Sequence, residues 1–156
     1  MTTYALAALA VVAILAELAL SAALGHHTGV LLLAAALTAA IHYYIFYLEL
    51  LAYGASNFRR VFQIPPEQLP IVRAPFNNLA IYNIALALSA SLGILLHIVA
   101  NSNYLYGMAN GLIFAALGTA TAAGAYLWYS QPSKQRPALI QAAPALLGLI
   151  CLALSR

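Results

Sequence analysis

Charge is what this sequence has least of. Its 156 residues include six Lys and Arg and three Asp and Glu, 6% in all, against roughly 25% for an ordinary soluble domain. That scarcity excludes a conventional soluble fold. The lack of any basic run excludes a DNA-binding face, so no nucleic-acid partner is expected. A single cysteine, Cys151, excludes an intrachain disulfide, and its place in an apolar run makes it a small buried side chain. There is no Gly-rich phosphate loop, no nucleophile elbow and no charge series of a voltage sensor, so those three readings fall away.

What is present is apolar. Hydrophobic residues make up 65% of the chain and the mean hydropathy is +0.92, the composition of an integral membrane protein. The length allows about five spans of ~20 residues with short connections, hence a single transmembrane domain covering residues 1–156. The expected spans are residues 3–24, 30–53, 75–99, 104–129 and 138–154. No Lys or Arg precedes the first apolar run, and that run is longer than the core of a typical signal peptide, so it is read as a retained first span.

The connections are short, which makes neighbouring spans antiparallel in an all-α bundle. Gly25-His26-His27-Thr28-Gly29 reads as a tight turn. Residues 54–74 hold Arg59, Arg60 and Arg73, with Phe58, Val61 and Phe62 at helical spacing, and are expected to lie in the membrane interface. Pro75 is expected in the first turn of the third span, where its missing N–H is not needed. Gly107 and Gly111 form a Gly-x-x-x-Gly pair, a close-packing face for membrane helices. Five of the six basic residues fall in the loops after spans two and four. The positive-inside rule then puts the N-terminus in the cytoplasm and the C-terminus outside.

Polarity inside the spans is concentrated on the second. His42 and Glu49 are seven residues apart, and a 3.6-residue repeat puts His42, Phe46, Glu49 and Tyr53 on one stripe. Ionisable groups in hydrocarbon are costly and usually face a bundle interior. At ~1.5 Å per residue, Asn78 of span three lies near the level of Glu49, with Tyr82 and Asn83 closer to His42. Gln141 enters from span five at the same level. Carboxylate, amides, phenol and imidazole therefore can converge, with His42 and Glu49 as an acid/base pair and Tyr53, Asn78, Tyr82, Asn83 and Gln141 as ligand-binding groups. The plainer reading is that the same groups lock helices together.

A bis-histidine haem is disfavoured because His97 lies more than about 10 Å from the level of His42. A zinc or di-iron site lacks clustered ligands, so no metal is expected and no cofactor is specified.

His42-x6-Glu49 within Tyr-Ile-Phe-Tyr-Leu-Glu-Leu, then the Arg/Phe/Pro loop, Asn78-x3-Tyr82-Asn83 and Gln141-Ala-Ala-Pro144-Ala-Leu-Leu carry a resemblance. The chain resembles, over residues 37–152, the small bacterial membrane proteins grouped as domain of unknown function 1304. That resemblance implies a four-span fold in the bacterial cytoplasmic (inner) membrane and assigns no biochemistry. Leu50 stands where the family has Met, Leu79-Ala80 where it has Gln-Gly, and an additional span with Glu17 precedes the family region.

Two functions are expected to compete. One is a polar intramembrane pocket that binds, and acts by acid/base chemistry on, a small lipophilic molecule. The other is a non-enzymatic scaffold or accessory subunit that meets another membrane protein through Gly107, Gly111 and its aromatic faces. A transporter is third, because internal repeats and broken half-helices are missing.

Overall fold

The computed structural model describes residues 28–155, so the expected first span with Glu17 and the His26-His27 turn lie outside the described residues. Helix α1, Thr28–Phe46, runs on into a π-helical turn, Tyr47–Leu51. A short helix α2, Ser56–Phe62, follows, and then α3, Leu69–Val99, α4, Asn103–Ser130, and α5, Gln135–Leu154. Single 3-10 turns, Pro66–Gln68 and Pro132–Lys134, lead into α3 and α5. Among the described residues four helical stretches, of 24, 34, 28 and 23 residues, are long and apolar enough to cross a membrane. Helices are what such a sequence must form, because hydrocarbon offers backbone N–H and C=O groups no other partner.

The start of α3 corrects one expectation. The helix opens at Leu69 with Pro70 in its first turn, and Pro75 lies inside it. The N-terminal preference of proline holds, but for the earlier proline; in a membrane helix an internal proline is tolerated because neighbouring groups compensate for the missing bond. At 31 residues α3 is about 46 Å long, longer than a hydrocarbon core of about 30 Å, so it tilts or extends past it.

The four long helices form a closed ring, α1 against α3, α3 against α4, α4 against α5 and α5 back against α1. Each neighbouring pair is antiparallel. Tyr43 meets Ser91 while Glu49 meets Asn83; Gly93 faces Ile113 while His97 stacks on Tyr106; Gly124 faces Ala142 while Gly148 faces Leu117. Small residues fill the interior, among them Ala34, Ala35, Ala80, Ala87, Ala90, Ala109, Ala120 and Ala145, while large ones such as Leu88, Leu95, Phe114 and Ile150 point outward. Lipid tails are as apolar as leucine, so helices gain by close backbone contact.

Three glycines show that contact directly. A Cβ on Gly93 would stand 2.7 Å from Ile113, one on Gly124 2.7 Å from the Ala142 Cβ, and one on Gly148 2.6 Å from Leu117. Gly107 and Gly111 behave differently, with nothing within 4 Å of a Cβ at either. Among the described residues the Gly-x-x-x-Gly pair is thus not a packing face, and the periodic motif carries no information about which neighbour it faces.

At one end, α2 folds back beneath α1 and α3. Gly54 (φ 76°) and Gln63 (φ 59°) turn the chain at either side of it in left-handed conformations. Phe58 is fully buried and packs on Tyr53, Phe62 and Phe76 at ring-centroid distances of 4.7, 4.8 and 5.2 Å. The Tyr53 hydroxyl donates to the Leu69 carbonyl at the start of α3. Lys134, from the turn before α5, donates to the Val61 carbonyl at 3.3 Å and the Gln63 side chain at 3.1 Å. The two basic connections therefore sit at the same end of the bundle.

Gly148→Val should lower stability by roughly 1–3 kcal/mol through overpacking, and Phe58→Ala by roughly 3–5 kcal/mol through loss of a buried ring. Gly107→Ala should leave the thermal midpoint in detergent unchanged or slightly higher. Equal effects of Gly148→Val and Gly107→Ala would contradict the packing described.

Candidate functional site

Glu49 sits at the middle of the π-helical turn. A π turn inserts one extra residue into a helical circuit, closing Ala52 N–H to the Tyr47 carbonyl at 2.8 Å, and such turns occur frequently at functional sites. The stripe counted on a regular helix survives for its polar members. His42 is 1% exposed and Glu49 4% exposed, while Phe46 and Tyr53 are half-buried.

The carboxyl has one hydrogen-bond partner among the described residues. Asn83 Nδ2 on α3 donates to Glu49 Oε2 at 2.8 Å and also to the Leu79 carbonyl one turn back, at 3.1 Å. The bond to Leu79 fixes the amide's direction, so Asn83 is already aimed when it meets the carboxyl. No Lys or Arg bonds to Glu49 among the described residues. This is a buried acid held, among the described residues, by a neutral amide on one of its two oxygens.

His42 belongs to a different network. Its Nδ1 lies 2.8 Å from the Thr38 carbonyl, and the Thr38 hydroxyl donates to the Ala34 carbonyl at 2.8 Å. A carbonyl only accepts, so Nδ1 carries the proton, and Nε2 is left to accept from Gln141 Nε2 of α5, a long contact of 3.5 Å. His42 and Glu49 are separated by about 10 Å along the helix axis, and their partners come from opposite neighbours, α5 and α3. The expected convergence is thus resolved into two pairs, Glu49 with Asn83 and His42 with Gln141.

The remaining candidates are elsewhere. Tyr82 is 66% exposed and Asn78 is exposed too. Asn83 shares the inner face of α3 with the buried Ala80, Ala87 and Ala90, whereas Asn78 and Tyr82 occupy the face away from it. Tyr53 serves the aromatic cluster under α2, with the Arg73 guanidinium 5.8 Å from its ring centroid. Tyr43 bonds through its hydroxyl to Ser91 Oγ at 3.1 Å. The signal for that pair lay in the sequence, since Ser91 follows Ala87 by one turn on the same inner face.

A groove of about 310 Å³ runs along the α1–α3 seam, lined by Ala36, Ala39, Ala40, Tyr43, Ser91 and Ile94. A second, of about 250 Å³, lies between α4 and α5 beside Gly124, Trp128 and Ala142. Neither is lined by His42 or Glu49. The first opens on the same seam that Glu49 and Asn83 close farther along. Among the described residues no three His, Cys, Asp or Glu side chains gather as a metal site.

An apolar four-helix bundle with a buried carboxyl–amide pair on a π turn defines a helical protein built for the membrane. The chain belongs to the family described as protein of unknown function (DUF1304), whose model matches residues 36–153. Both polar pairs fall within that match, as do α2 and the connections at its end of the bundle. A comparison with curated proteins gave no match, and a comparison with solved structures gave none.

A double-mutant cycle isolates the carboxyl–amide bond. Glu49→Ala and Asn83→Ala should couple by about 0.5–2 kcal/mol in detergent unfolding, the range for hydrogen bonds between membrane helices. His42→Ala and Asn83→Ala should be additive, and coupling between them would contradict the separation of the two networks.

Proposed function

We propose that this chain is a multi-pass protein of the bacterial cytoplasmic membrane that binds a small lipophilic molecule through the Glu49 carboxyl. The observation that carries the reading is a buried acid on a π turn whose only described partner is one neutral amide. Buried polar groups are normally satisfied, and a carboxyl in hydrocarbon is retained at considerable cost. Glu49 is the group that accepts from, or exchanges a proton with, a ligand's polar end; Asn83 aims it. His42, Gln141 and Thr38 form the neighbouring network that fixes α5 against α1. In the membrane, the arginine-rich end faces the cytoplasm and, with residues 3–24 as a first span, the N-terminus is cytoplasmic and the C-terminus outside.

The α1–α3 groove supports this reading, because it gives an apolar tail a place on the seam that Glu49 and Asn83 bridge farther along. Acid/base turnover of the bound molecule is the further step, with the carboxyl as the proton carrier.

The test is extraction of the purified protein with organic solvent, followed by mass spectrometry. Wild type should carry a lipophilic compound in near-stoichiometric amount beyond bulk phospholipid, and Glu49→Gln should lose most of it while keeping its thermal midpoint. Equal retention by Glu49→Gln, or none by wild type, would overturn the proposal.

A scaffold role is the second reading. Gly107 and Gly111 are favoured for it, because their open face on α4 can take a partner helix as closely as Gly148 takes Leu117. A stoichiometric membrane partner lost in Gly111→Leu would support it.

A further inference from the structure

The basic residues form a second feature that the carboxyl does not explain. All five Lys and Arg among the described residues, Arg59, Arg60, Arg73, Lys134 and Arg136, belong to the end of the bundle that α2 covers. The opposite connection, residues 100–102, has no charged side chain. Lys134 is engaged with α2 itself, holding the Val61 carbonyl. Arg59 and Arg60 are exposed and make no ion pair among the described residues, and Arg73 is exposed beside the Tyr53 ring.

The form of α2 explains why these groups stay outside. Its inner face, Phe58 and Phe62, is packed on Tyr53 and Phe76. The helix cannot roll without exposing Phe58, so Arg59 and Arg60 are fixed outward at the level where the apolar spans end. Val61, next to Arg60 in the chain, is 37% exposed, and Ile71, two residues before Arg73, is 77% exposed. A free anion would have no use for that apolar surface; a phospholipid, with a phosphate above and acyl chains below, matches both.

We infer that Arg59, Arg60 and Arg73 form a docking surface for the phosphate headgroups of anionic phospholipids in the adjoining leaflet. Guanidinium groups pair with phosphate through two parallel hydrogen bonds, and Val61 and Ile71 meet the upper acyl chain. The lipid anchors α2 against the ends of α1 and α3. This surface is independent of the Glu49 reading.

The test is native mass spectrometry of full-length protein released from mixed phosphatidylglycerol and phosphatidylcholine nanodiscs. Wild type should retain phosphatidylglycerol several-fold over phosphatidylcholine, and inorganic phosphate should not displace it. R59Q/R60Q/R73Q should bring the ratio towards one. If that variant does not fold, rising NaCl should lower the wild-type preference, because exposed charges are screened. Equal retention of both lipids by wild type, an unchanged ratio in the folded variant, a salt-independent preference or displacement by phosphate would each overturn the inference.

Discussion

Close approach of helix backbones is the constraint on which the bundle depends. In hydrocarbon there is no hydrophobic force between helices, so they adhere by contact of small residues, and Gly93, Gly124 and Gly148 each leave no room for a Cβ. The side chains of Asn83 and Gln141 are short. They reach Glu49 and His42 only because α1 is drawn against α3 and α5 at alanine-lined seams. Remove that closeness and the polar groups lose their partners inside an apolar medium, where an unmet hydrogen bond is costly.

Within that frame the two polar pairs differ in what they leave undone. His42 uses both ring nitrogens, one on Thr38 and one on Gln141, and serves as a strut between α1 and α5. Glu49 uses one oxygen, on Asn83, from a turn that departs from regular helix. That difference is the reason the proposed function is placed on Glu49 rather than on His42. The aromatic base under α2, pinned by Tyr53 to α3 and by Lys134 to the α5 side, closes the end of the bundle nearest the carboxyl.

Much of this could be read in the sequence. Long apolar runs marked stretches where four helices are long and apolar enough to cross a membrane, and the motifs around His42, Asn78 and Gln141 pointed to the family, because hydropathy and short motifs are local properties. Glu49, Asn83, His42 and Gln141 were placed among the interior polar groups by depth and periodicity. Which of them touch was not legible, since periodicity fixes an angle on a helix and says nothing of its neighbour. Asn78 and Tyr82 illustrate this: they share a stripe with each other, but the alanines at 80, 87 and 90 mark the opposite, inner face, and Asn83 lies with those. The π turn has no residue signature at Tyr47–Leu51, and a 3.6-residue count passes straight over it. Pro75 was expected to open the third span, but the helix begins earlier, after the Pro66–Gln68 turn, with Pro70 near its start.

The account therefore rests on Glu49 as an interior acid whose one described partner is the Asn83 amide across the α1–α3 seam. An experimental structure at high resolution, from native membrane without added ligand, tests this most directly. The account predicts density for a lipophilic molecule along the seam, with a polar atom within hydrogen-bonding distance of the Glu49 carboxyl. A dry, fully packed seam in which Glu49 bonds only to protein would contradict it.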